Sequence, residues 1–142
     1  SLLKKEINKP FFLSNCDILV KADYDCVIKT HEANGDLITF VAAMKEVEVP
    51  YGVIITEADG SASKLQEKPH FSFLTNTGVY YMEPQVIEEM PEETFIHITD
   101  VAQKYIDHGS RVGVFPVSEK NWLDMGQINE MSHMLKVLGI DE

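Results

Sequence analysis

Two acids in this chain, Asp17 and Asp124, each close a short apolar run. Phe11, Phe12 and Leu13 precede the first through Ser14, Asn15 and Cys16; Trp122 and Leu123 precede the second. Open α/β sheets place ligands outside the carboxyl ends of their strands. Two strand ends that supply one carboxylate each can hold a divalent cation against phosphates. Both acids also have a structural reading, Asp17 as a turn cap and Asp124 as the cap of a following helix. A second group of residues carries charge at another strand end: Glu67 and Lys68, followed by Pro69. Neighbours on a strand face opposite ways. They share a pocket only where the strand stops, which Pro69 favours. On the residues alone, both read as surface residues. Gly78, in the run 76–82, is a position where a backbone or a ligand could approach closely.

The elements that must position these residues alternate in type. Pro10 stops a helix begun by Leu2, Leu3 and Ile7. The run 11–13 has the length and continuous hydrophobicity of a strand buried on both faces. Asp23 is placed to cap a helix over 24–33, which Asn34, Gly35 and Asp36 end. The unbroken apolar run 37–43 predicts a central strand, so that strand, helix and strand form a βαβ unit of right-handed crossover. Runs 51–56 and 63–67 flank Asp59-Gly60, a hairpin signal. Residues 70–74 read as a mixed loop and 76–82 as a strand. Helices follow over 84–90 and within 94–109, where Ile98, Val101, Ala102, Tyr105 and Ile106 share a face. A strand over 111–117, a short extended piece at 122–124 and an amphipathic helix over 128–138 close the chain.

Composition bounds the function. The 142 residues hold 44% hydrophobic and 25% charged side chains, ordinary for a globular domain. A net charge of −11 argues against nucleic acid and against anionic lipid, both of which need clustered Lys and Arg. No run approaches the about 20 apolar residues of a membrane span. Cys16 and Cys26 lack metal-type spacing and read as reduced thiols, which suits a cytoplasmic protein. The five histidines show no ligand spacing. Trp122 reads as packing.

Four ordered motifs then resemble the sugar-phosphate nucleotidyltransferases, also called nucleotide-sugar pyrophosphorylases. They are Phe12-Leu13-Ser14-Asn15-Cys16-Asp17; Tyr51-Gly52-Val53 with Asp59-Gly60 and Glu67-Lys68-Pro69; Asn76-Thr77-Gly78-Val79-Tyr80; and Trp122-Leu123-Asp124-Met125-Gly126. The resemblance implies a three-layer, Rossmann-like mixed sheet. It implies transfer of a nucleotidyl group from a nucleoside triphosphate to a sugar 1-phosphate, releasing pyrophosphate. By similarity, Asp17 and Asp124 hold Mg²⁺ and Lys68 neutralises the sugar phosphate. Glu67 accepts from sugar hydroxyls, and Gly52 and Asn76 complete the sugar pocket. Cys16 stands where the family has glycine, which narrows that position, and Gln127 stands where threonine is frequent. No Gly-x-Gly pattern precedes Asp17. Residues 1–142 are therefore expected to be a partial catalytic domain without the N-terminal third, with little activity alone. A regulatory homologue that binds nucleotide sugars without turnover is one alternative. A nucleotide-sugar-dependent glycosyltransferase is another, disfavoured by the second and fourth motifs. Base, sugar and oligomeric state stay open; an unpaired sheet edge makes self-association a possibility.

Overall fold

The structure is a computed structural model and describes residues 4, 6–91 and 94–126. The expected helical turn at Leu2 and Leu3 and the expected helix over 128–138 lie outside those residues, as does Gln127. In chain order the elements are β1 (Phe11–Ser14), β2 (Ile18–Val20), α1 (Tyr24–Asn34), β3 (Ile38–Glu48), β4 (Val53–Thr56) and β5 (Ala62–Gln66). Then come β6 (His70–Met82), α2 (Pro84–Glu88), α3 (Ile98–Asp107), β7 (Val112–Ser118) and β8 (Trp122–Asp124).

The main sheet has the order β1-β6-β3-β7. β6 runs antiparallel to both β1 and β3, and β7 runs parallel to β3. Strands β1, β3 and β7 therefore share a direction, with β6 reversed among them. Alternation along the strands divides the core in two. Val41, Ala43, Val79 and Tyr81 pack with Val27 of α1. Ile38, Tyr80 and Met82 pack with Val86 of α2 and Val101, Ala102 and Tyr105 of α3. One helix on one face and two on the other make the three layers that the resemblance implies.

Three local expectations are corrected. The run 11–13 is not buried on both faces: Phe12 is 37% exposed and Leu13 36%. Among the described residues β1 pairs only with β6, so it is an edge strand here. A short apolar run has the same appearance in an edge strand and a central one. Next, β1 and β3 run in the same direction but are not adjacent, because β6 inserts between them. Finally, residues 70–74 are not a loop. β3 continues to Glu48 and offers partners to the whole stretch, as in Val47 opposite Phe71.

Local chemistry accounts for the remaining boundaries. The Asp23 carboxylate accepts from the Cys26 amide at 3.0 Å and caps α1. Gly35 closes that helix at φ 65°, which favours glycine. At the amino end of β3, Asp36 is buried and accepts from Arg111 Nε at 2.6 Å and from Thr39 Oγ1 at 3.1 Å. Gly113 of β7 lies opposite Thr39 and directly beneath the Asp36 carboxylate.

Candidate functional site

Part-way along β3, between Val41 and Ala42, the ladder breaks. Val41 pairs with Val79, but Ala42 pairs with Asn76, so Thr77 and Gly78 are extra residues in β6. Bulges of this kind re-aim side chains and recur beside active sites. Thr77 Oγ1 donates to the Val41 carbonyl at 2.6 Å and fixes the bulge. Gly78 adopts φ 85°, and the Asn15 amide donates to its carbonyl at 3.0 Å. A Cβ on residue 78 would lie 2.7 Å from Asn15 Nδ2. Backbone conformation and close approach therefore both require glycine there.

Asp17 and Asp124 meet beside this bulge. β2 and β8 pair antiparallel, with Ile18 opposite Asp124. The Met125 amide donates to the Asp17 carbonyl at 2.8 Å, and the Gly126 amide donates to Asp124 Oδ1 at 2.9 Å. A Cβ built on Gly126 would lie 3.1 Å from Asp124 Oδ1 and 3.9 Å from Asp17 Oδ2. Two carboxylates from distant parts of the chain thus surround one point, and glycine leaves that point open. Their cavity is about 180 Å³ and is also lined by Asn15, Asn76, Tyr80 and Trp122. Trp122 packs against the α1-side core as well, so its packing role holds together with a place on the cavity wall. Lys45 Nζ sits 5.0 Å over its ring and 3.2 Å from Glu119 Oε1.

Of the residues singled out in the sequence, the cavity gathers Asp17, Asp124 and Asn76. It does not include Gly52, Glu67 or Lys68. Those three sit together at the open end of the β4–β5 hairpin. Val53 pairs with Gln66, and a Cβ on Gly52 would lie 3.1 Å from Glu67 Oε2. Lys68 has a left-handed backbone at φ 41°, uncommon for a side chain of its size. It turns the chain from β5 into Pro69 and β6. From His70 to Asn76 the strand path is about 20 Å, which accounts for the separation along the chain. Cys16 is exposed and is not on the cavity wall. His70 is a strand residue. Tyr80 was not singled out by sequence; its signal was a polar hydroxyl on an otherwise apolar strand end, four residues past Asn76.

A hard divalent cation takes one or two protein carboxylates and completes its shell with water and phosphate oxygens. Asp17 and Asp124 fit that requirement. Among the described residues no group of three or more His, Cys, Asp or Glu adds to them. Among the same residues no helix is long and apolar enough to cross a membrane.

Comparison with known proteins bears on the family and the fold. The family model described as "Nucleotidyl transferase" matches residues 2–138. A UTP–glucose-1-phosphate uridylyltransferase of Synechocystis is 29% identical over 120 residues, covering 79% of this chain and 30% of the relative. A mannose-1-phosphate guanyltransferase beta-B of Xenopus laevis is 27% identical over 130 residues, covering 88% and 35%. The chain thus spans about a third of the length of these relatives. HddC from Yersinia pseudotuberculosis superposes with a TM-score of 0.65 at 18% identity, over 96% of this chain and 60% of that one. A putative glucose-1-phosphate thymidylyltransferase from Bacillus anthracis gives the same score and identity over 57% of its chain. The structural likenesses show a shared fold.

Proposed function

The chain belongs to the nucleotidyl transferase family, and from that membership we propose that it forms the sugar-phosphate and metal side of a sugar-1-phosphate nucleotidyltransferase site. The observation that carries this reading is the meeting of Asp17 and Asp124 at one cavity with Asn76. The relatives named for glucose 1-phosphate and mannose 1-phosphate support the substrate class.

In this reading Asp17 and Asp124 hold Mg²⁺. The cation, when bound, neutralises phosphate charge and polarises the phosphorus under attack. The residues of the chain supply position. The antiparallel β2–β8 pair fixes both carboxylates to one rim. The bulge at Thr77-Gly78 presents Asn76 beside them. Lys68 and Glu67, on the hairpin that leads into β6, are assigned to the phosphate and hydroxyls of the sugar, with Gly52 beside Glu67. Phosphoryl transfer is served mainly by positioning and charge neutralisation, and this chain offers both without a nucleophilic side chain of its own. A nucleoside triphosphate is the second substrate. The net charge of −11 sets the protein apart from nucleic-acid binders. A cytoplasmic location fits its free thiols, and exposed Val47, Phe71 and Phe73 on the β3–β6 ribbon give a surface for self-association.

Pyrophosphate release by the intact protein tests the reading, with Mg²⁺, the common triphosphates and a panel of sugar 1-phosphates. One pair of substrates is expected to react, and Asp124→Asn to lower kcat/KM by about a hundredfold or more. No release across the whole panel rejects the enzyme and leaves the binding-only homologue. Unchanged turnover in Asp124→Asn removes that residue from the metal role.

A further inference from the structure

Asn76 carries a fixed side chain whose hydrogen bonds are already committed. Its Oδ1 accepts from the Gly78 amide at 3.0 Å. The backbone amide can only donate, so the carboxamide cannot be flipped without setting two donors against each other. Its Nδ2 therefore faces the Tyr80 hydroxyl, 2.9 Å away, and donates to it. A phenol has one hydrogen. With Asn76 as donor, the Tyr80 oxygen is an acceptor in that bond, and its own hydrogen must point elsewhere.

Among the described residues, Tyr80 Oη has no other hydrogen-bond partner. Tyr80 is 4% exposed, and its ring is held edge-on against Phe40 at a centroid distance of 5.0 Å. It lines the cavity that holds Asp17 and Asp124. Buried donors without acceptors are rare and costly in folded proteins. The uncommitted Tyr80 hydrogen, on a residue that lines the cavity, calls for an oxygen acceptor there.

We propose that Tyr80 is a specificity-determining donor to one hydroxyl oxygen of the sugar 1-phosphate, and that Asn76 is a positioning residue that aims it. The proposal rests on the functional reading above and alters one part of it. Asn76 acts on the sugar through Tyr80 instead of touching it directly. The bulge makes the arrangement possible, because Gly78 supplies the amide that locks the carboxamide.

The test is steady-state kinetics of the intact protein with its preferred sugar 1-phosphate and the corresponding set of monodeoxy sugar 1-phosphates. Tyr80→Phe keeps the ring and removes the donor. It is expected to raise KM for the sugar 1-phosphate by about three- to tenfold, with KM for the triphosphate and the melting temperature unchanged. Against the unsubstituted protein, one deoxy sugar is expected to lose a similar factor, and Tyr80→Phe to accept that analogue and the parent sugar equally. Asn76→Ala is expected to raise the same KM on its own and to add nothing in the Tyr80→Phe background. Independent, multiplying effects of the two substitutions overturn the positioning role. An unchanged KM in Tyr80→Phe, or discrimination among deoxy sugars that survives it, overturns the donor role. If the unsubstituted protein responds to no sugar 1-phosphate, the functional reading fails and the proposal with it.

Discussion

Alanine at Gly113 is a small change placed where the fold has no room for it. A Cβ there would overlap the Asp36 carboxylate and lie 3.1 Å even from the farther oxygen, Oδ1. The neighbour cannot yield cheaply. Asp36 is 2% exposed and is held by Arg111 Nε at 2.6 Å and Thr39 Oγ1 at 3.1 Å. Thr39 is in turn 2.8 Å from Nδ1 of the buried His31, whose Nε2 lies 3.3 Å from Glu83 Oε1. Pushing the carboxylate away breaks the hydrogen bonds of a buried charge whose Arg111 partner is itself 58% exposed, which costs about 3 kcal/mol. At about 2–4 °C per kcal/mol for a domain of this size, the melting temperature should fall by on the order of 10 °C. Urea titration and thermal melting followed by circular dichroism measure both quantities in the intact protein. A double-mutant cycle isolates the cause. With Asp36→Ala already in place, Gly113→Ala should cost under about 1 kcal/mol, because the clashing group is gone. An equal cost in both backgrounds, or a loss below about 1 kcal/mol in the unsubstituted protein, would refute the reasoning.

Other expectations follow from single residues. The backbone bond from Cys26, with the Cys26 side chain second, holds the Asp23 carboxyl below its ordinary value of 3.8. A depressed carboxyl contributes stability above its unfolded value and loses it as pH falls through the folded one. Asp23→Ala should therefore lower the melting temperature at pH 7, and the difference from the unsubstituted protein should shrink below about pH 4; a pH-independent difference would remove the capping carboxylate as its cause. Lys68→Gly relieves a left-handed backbone while deleting a charge. Stability should change by less than about 1 kcal/mol, while KM for the sugar 1-phosphate rises about tenfold or more; an unchanged KM would place Lys68 outside the site.

Several elements of this fold were readable from local sequence signals, while its three layers came from the family resemblance. Asp23 and Gly35 marked the ends of α1, Asp59-Gly60 marked the hairpin, and the spacing of Ile98, Val101, Ala102 and Tyr105 gave α3 its buried face. The run 70–74 was not readable, because its pattern alternates weakly and its strand character comes from pairing with the far half of β3. The edge position of β1 was hidden for a related reason: burial depends on which strands lie alongside, and a local run does not contain that information. At the site, each carboxylate was legible as an acid after an apolar run. Their meeting depends on the β2–β8 pairing, two three-residue strands too short to announce a partner. The commitment of the Asn76 amide to Gly78 and Tyr80 was likewise invisible, since it needs the two-residue bulge that breaks the β3–β6 register.

The central claim is that Asp17 and Asp124 act together on one cation. Binding of Mn²⁺ to the intact protein in the presence of a sugar 1-phosphate, read by electron paramagnetic resonance, tests it most directly. One bound ion is predicted, with Asp17→Asn and Asp124→Asn each weakening it by about tenfold or more and the pair together costing less than the product of the two. A bound ion that survives either substitution undiminished would contradict the account.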